Sequence, residues 1–134
     1  MANGPLYGIV PTQSMYAIAT GAIPSYRVVV RDVVDASTNG ITAKLPAAAT
    51  DPILGVANNG IAAVAGDQVH VIQEGRAWGV ANAAIARGDR LITDVDGRLG
   101  PALNVVGEQH IGIAEEAAGA LGDIFAFQLR PYIR

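Results

Sequence analysis

The sequence predicts an all-β fold, a small β-barrel or β-sandwich of short strands with an extended N-terminal arm and at most one or two short helices. Three observations lead there. Runs rich in β-branched residues recur along the chain, Gly-Asp, Asn-Gly and Asp-Gly turn signals separate them at short intervals, and one strand–connector–turn–strand unit occurs twice. No amphipathic helical period is sustained over several turns. At 134 residues the chain suits one domain. We place the arm at residues 1–25 and a single β-rich domain at 26–134.

The first 24 residues mix Gly and Pro with isolated apolar side chains and hold neither a helical nor a strand period. Leu6, Tyr7, Ile9, Val10, Met15 and Tyr16 would be awkward in water. Two readings follow: an extended arm docked on a partner or a neighbouring subunit, or an N-terminal strand of the barrel itself. From Tyr26, the run Arg27-Val28-Val29-Val30-Arg31 is strand material, Ser37-Thr38-Asn39-Gly40 supplies a turn, and Ile41 to Leu45 alternates as a returning strand does. Ala47-Ala48-Ala49, held between Pro46 and Asp51-Pro52, is long enough for one helical turn only.

The internal echo is the most informative feature. Ile53-Leu54-Gly55-Val56-Ala57, then Ala65-Gly66-Asp67-Gln68-Val69-His70-Val71, resembles His110-Ile111-Gly112-Ile113-Ala114, then Leu121-Gly122-Asp123-Ile124-Phe125-Ala126-Phe127. Val69 and Val71 correspond to Phe125 and Phe127, and their two-residue spacing puts each pair on one sheet face, the expected core. A third Gly-Asp turn, Gly88-Asp89, opens Arg90-Leu91-Ile92-Thr93, and Asp96-Gly97 marks a hairpin. Ala81 to Ala86 is the place for a short helix.

Composition excludes several functions. A net charge of −3 with a single lysine, Lys44, does not suit a nucleic-acid binder, which needs clustered cations to displace counterions. No stretch approaches the apolar length that spans a bilayer, and residues 1–26 lack the basic start and unbroken apolar run of a secretory signal. Without cysteine there are no disulfides, thiolate metal sites or thiol nucleophiles.

Reactive groups are equally scarce. None of Ser14, Ser25 and Ser37 sits in a nucleophile elbow, and no phosphate-binding glycine loop is present. His70 and His110 alternate with apolar neighbours and read as surface or interface residues. Asp89, Asp94 and Asp96 lack the spacing of a calcium loop and read as solvated turns, and Glu115-Glu116 as a solvated strand end. The expectation is therefore no catalytic residue, no metal site and no cofactor. Trp78, the lone tryptophan, sits among small residues in Gly75-Arg76-Ala77-Trp78-Gly79, as an interface anchor or a barrel-end plug.

Taken in order, Gly55-Val56-Ala57, Ala65-Gly66-Asp67 before Val69-His70-Val71, Gly75, Arg87-Gly88-Asp89-Arg90-Leu91, Asp96-Gly97-Arg98, and Ile111-Gly112-Ile113-Ala114 with Ala117 to Gly119 resemble the pattern of the capsid decoration, or cement, proteins of tailed bacteriophages. The resemblance spans roughly residues 27 to 130 and leaves the arm uncovered. It implies a small, usually trimeric β-rich protein on the outer surface of the expanded head, at threefold and quasi-threefold positions, clamping the major capsid protein and having no enzyme activity. The implied partners are the major capsid protein and further copies of the chain. Two other classes stay open: a small trimeric nucleotide hydrolase using Asp32, Asp35, Asp89 and Asp94, and another virion component such as a tail-tube or head-completion subunit.

Overall fold

The computed structural model describes residues 11–32 and 41–133. Nine strands follow in order: β1 (Pro11–Ala19), β2 (Arg27–Arg31), β3 (Thr42–Lys44), β4 (Ile53–Ala57), β5 (Gln68–Val80), β6 (Arg90–Thr93), β7 (Leu99–Pro101), β8 (Gln109–Ala114) and β9 (Ile124–Ile133). There is no helix among the described residues. Hydrogen bonding runs β1-β3-β2-β4-β5-β9-β8-β6-β7, and β1 also pairs with β5. That extra pairing closes the first five strands into a barrel, which leaves no open sheet edge between β1 and β5.

The rest of the sheet repeats this plan. The C-terminal half of β5 pairs with β9, β9 with β8, β8 with β6 and β6 with β7. A parallel bridge from Ala81 to Leu99 returns β7 to the end of β5, as the parallel pairing of Ala19 with Ala43 joins β1 to β3. Single hydrogen bonds repeat too. Ala19 N donates to Asp67 O and Gly66 N to Ala19 O; Ala81 N donates to Asp123 O and Gly122 N to Ala81 O, all at 2.8 Å. The Ile23–Ala63 bridge recurs as Ile85–Ala118. Thr20 Oγ1 donates to Asp32 at 2.8 Å, and Asn82 Nδ2 to Asp94 at 3.1 Å. The molecule is two matching five-stranded rings in which β5 serves both.

The repeat therefore reaches further than its sequence echo. It includes β1, β2 and the chain between them, matched by the end of β5, β6 and residues 81–89. Ala81 to Ala86 accordingly form no helix, contrary to the expectation from their alanines. Ala81, Asn82 and Ile85 each donate their amide across to another segment, at Asp123, Leu99 and Ala118. Those bonds require extended chain and outweigh the weak helical preference of so short a run. Of the two readings of the N-terminal segment, the barrel strand is the one that residues 11–19 take.

Each ring encloses its own core. The first holds Ala17, Ala19, Ile23, Val29, Val69 and Val71 among others, with no aromatic ring among the described residues. The second holds Leu91, Leu99, Ile111, Phe125, Phe127 and Leu129. Val69, Val71, Phe125 and Phe127 are all buried, as the two-residue spacing predicted. The phenylalanines pack tilted, ring centres 5.9 Å apart. Val28, Val56 and Ile72, neighbours across β2, β4 and β5, belong to the second core although they lie on strands of the first ring. The β6–β7 hairpin adds to this junction: Gly97 O accepts from Val28 N at 2.8 Å, and Asp96 O from Arg27 Nη1 at 3.0 Å.

Candidate interaction surface

Several of the described carboxylates hold turns and pairs. Asp89 accepts from Ala86 N at 2.9 Å. Asp94 Oδ1 accepts from Asp96 N and Arg98 N, both at 2.9 Å, which holds the hairpin turn. Asp32 and Asp94 occupy matching places in different rings, and Asp35 lies outside the described residues. Among the described residues, no three His, Cys, Asp or Glu side chains come together in a way that could hold a metal ion. Glu115 pairs with Arg76, and Glu116 accepts from Ala126 N at 2.9 Å. Burial first, then the like charge of Arg98, hold the Arg27 guanidinium below its ordinary value, opposed by Asp96 and Asp94.

The two histidines part company. His70 lies half-buried on β5, against the ring of Tyr16 at 5.0 Å. His110 is fully buried, correcting the surface reading. The pairing of β8 with β9 shifts register between His110 and Gly112, so strict alternation fails and His110 and Ile111 are both inside. Nε2 of His110 stands 2.8 Å from Glu108 Oε1.

Of the residues singled out as contacts, Met15 packs half-buried against the first core, while Tyr16 is 62% exposed on the barrel wall. Leu6, Tyr7, Ile9 and Val10 lie outside the described residues. Trp78 stands between Ala77 and Gly79, opposite Ala126 on β9, and belongs to neither core of buried residues. Its side chain is half-buried.

A different apolar surface went unnoticed in the sequence. The loop between β7 and β8 presents Leu103, Val105 and Val106, with Val106 94% exposed. Glu108 holds it in shape: its carboxylate accepts from Leu103 N at 2.8 Å and Asn104 N at 2.9 Å, besides meeting His110. Burial acts to raise the Glu108 pKa, yet the amide hydrogen bonds and His110 outweigh it and leave the group below its ordinary value. An ionised carboxylate only accepts, so His110 donates from Nε2. The matching loop of the first ring, between β3 and β4, is built alike: Asp51 accepts from Ala47 N at 2.9 Å and Ala48 N at 3.1 Å. Gln109 Nε2 donates to Asp51 O at 2.7 Å and joins the two loops. Between them lies a recess of about 320 Å³ whose lining includes Ala49, Ile92, Leu103, Val105 and Val106.

No protein-family model and no curated protein matches the chain. A solved structure does. The head fibre gp8.5 N base of bacteriophage phi29 superposes with a TM-score of 0.68 at 23% identity, over 88% of this chain and 93% of that one. At that identity the likeness establishes a shared fold, over nearly the full length of both chains.

Proposed function

We propose that this chain is a structural protein of a tailed-phage head, bound to the outer surface of the shell. The observation that carries the reading is the near-complete fold match to a phage head fibre base. The sequence resemblance to decoration proteins points the same way, and so does the use of the described aspartates in turns and pairs. In finer detail, the chain binds the major capsid protein of the expanded shell as a homotrimer, at threefold and quasi-threefold positions. There it stabilises the head by mass action, because a ligand of the assembled shell alone opposes its rupture by packaged DNA. Contacts repeated over the lattice add by avidity.

The test is to incubate purified protein with heads of the phage that encodes it and image them by cryo-electron microscopy. Density spread over the head at threefold sites is the expected result. Density confined to the neck or tail would instead mean a head-completion or tail component. Turnover of nucleoside triphosphates with Mg²⁺ would move the protein to the hydrolase class and overturn the reading.

A further inference from the structure

We propose that a recess between β2, β3 and the base of the β3–β4 loop takes a carboxylate borne by a partner polypeptide, held by Arg31 and Lys44. The site is read from this chain alone; that the polypeptide belongs to the phage shell rests on the head-surface reading. Three observations carry it.

The first is the lining. Among the described residues, Val30, Arg31, Lys44, Asp51 and Pro52 surround a recess of about 520 Å³. That is the size of a ligand pocket, in which apolar walls carry a few polar groups. Val30 and Lys44 are cross-strand partners, and Arg31 pairs with Ala43 beside them. The ion pairs among the described residues use Arg76, Arg98 and His110 and leave both of these cations out. Asp51 is turned onto the amides of Ala47 and Ala48. Two cations against one carboxylate leave room for a single further negative charge, which suits a carboxylate better than a phosphate dianion.

The second is the repeat, which supplies an internal comparison. Val30 and Lys44 pair as Ile92 and Gly100 do in the second ring, and Arg31 and Ala43 as Thr93 and Leu99 do. Thr93 is buried, and neither it nor Gly100 carries charge. The second ring closes at this place without a cation, so the shared plan does not call for Arg31 and Lys44. Lys44 is also the only lysine of the chain.

The third is magnitude. Arg31 is exposed, and an exposed ion pair is weak and screened by salt. A free anion would therefore be held loosely, whereas a carboxylate on a polypeptide also brings its stem and neighbouring side chains against Val30 and Pro52. Charges at such a rim select the partner and speed its approach more than they tighten the complex. Two cations in a chain of net charge −3 do not serve nucleic acid.

The probe is a capped leucine–glutamate–leucine tripeptide, titrated into the full isotope-labelled chain and followed by NMR amide shifts. The shifts should centre on Val30, Arg31 and Lys44. Arg31→Gln and Lys44→Gln should each weaken binding roughly two- to fivefold, and the double variant or a glutamine version of the peptide about tenfold. Arg87→Gln, which removes an exposed cation elsewhere, should bind as the parent does. Circular dichroism checks that the variants fold, and the glutamine peptide removes the charge without altering the protein. No shift at these amides up to roughly 10 mM peptide, or equal binding of the glutamine peptide, overturns the proposal. Acetate or inorganic phosphate binding as tightly as the peptide also overturns it, by making the occupant a small anion. If the double variant loses both the peptide and the heads, the shell supplies the carboxylate. If it loses the peptide yet decorates heads as the parent does, the site stands and its polypeptide is not the shell's. If the parent takes the peptide but ignores heads, the head-surface reading falls and the proposal stands.

Discussion

At the scale of single residues, the two glycines of the echo stand where a neighbouring backbone leaves no room for a side chain. A methyl group on Gly112 would run into the carbonyl oxygen of Gln128, and one on Gly55 into that of Ile72. Both obstacles are main chain and cannot rotate aside. Gly112→Ala should therefore cost about 1–3 kcal/mol, the range for forced overpacking, read as a lower urea midpoint. Gly21→Ala, with open space where its Cβ would stand, should leave the midpoint within about 0.5 kcal/mol of the parent. Glu108 gives a pH test. Its folded pKa lies below the unfolded one, so its stabilisation is complete above the ordinary glutamate range and is lost as pH falls through the folded value. Urea midpoints in acid should drop more steeply for the parent than for Glu108→Gln. Equal slopes would remove Glu108 from the account.

At the scale of elements, β1 is a wall of the first barrel, paired with β5 from Pro11↔Gly75 to Ile18↔Gln68. Truncation must respect this. Removing residues 1–10 should leave a folded protein by circular dichroism and urea titration, whereas removing residues 1–20 opens the ring and should abolish cooperative unfolding. The β4–β5 and β8–β9 halves of the repeat were legible in the sequence because the same Gly-Val/Ile-Ala strand and Gly-Asp turn stand in both. The β1–β2 and β5–β6 halves were not. Tyr26-Arg27 stands where Gly88-Asp89 stands in the second copy, so the turn signal is missing although the backbone repeats it, with φ at 61° for Tyr26 and 92° for Gly88. Alanines filled the rest of that stretch and suggested a helix, because the cross-ring hydrogen bonds that hold it extended are tertiary and leave no local trace. The apolar face escaped notice for a similar reason. Ala47–Ala49 and Leu103–Val106 are unremarkable apart, and only closure of both rings brings them together.

At the scale of the molecule, the small side chains of the first core and the aromatic filling of the second show one plan packed in two ways. The sequence pointed to a small all-β barrel or sandwich of short strands, and the chain builds that class as two joined rings. The join is a strand of 13 residues, β5, whose first part lines one ring and whose second part lines the other. Neither half owns a complete wall. Nicked between Glu74 and Gly75, the protein should yield no fragment that holds native structure by itself. Heating the intact chain should give one calorimetric peak, with calorimetric and van't Hoff enthalpies equal. A pair that melts as one body accumulates no partly opened intermediate with a naked strand edge for stray chains to join.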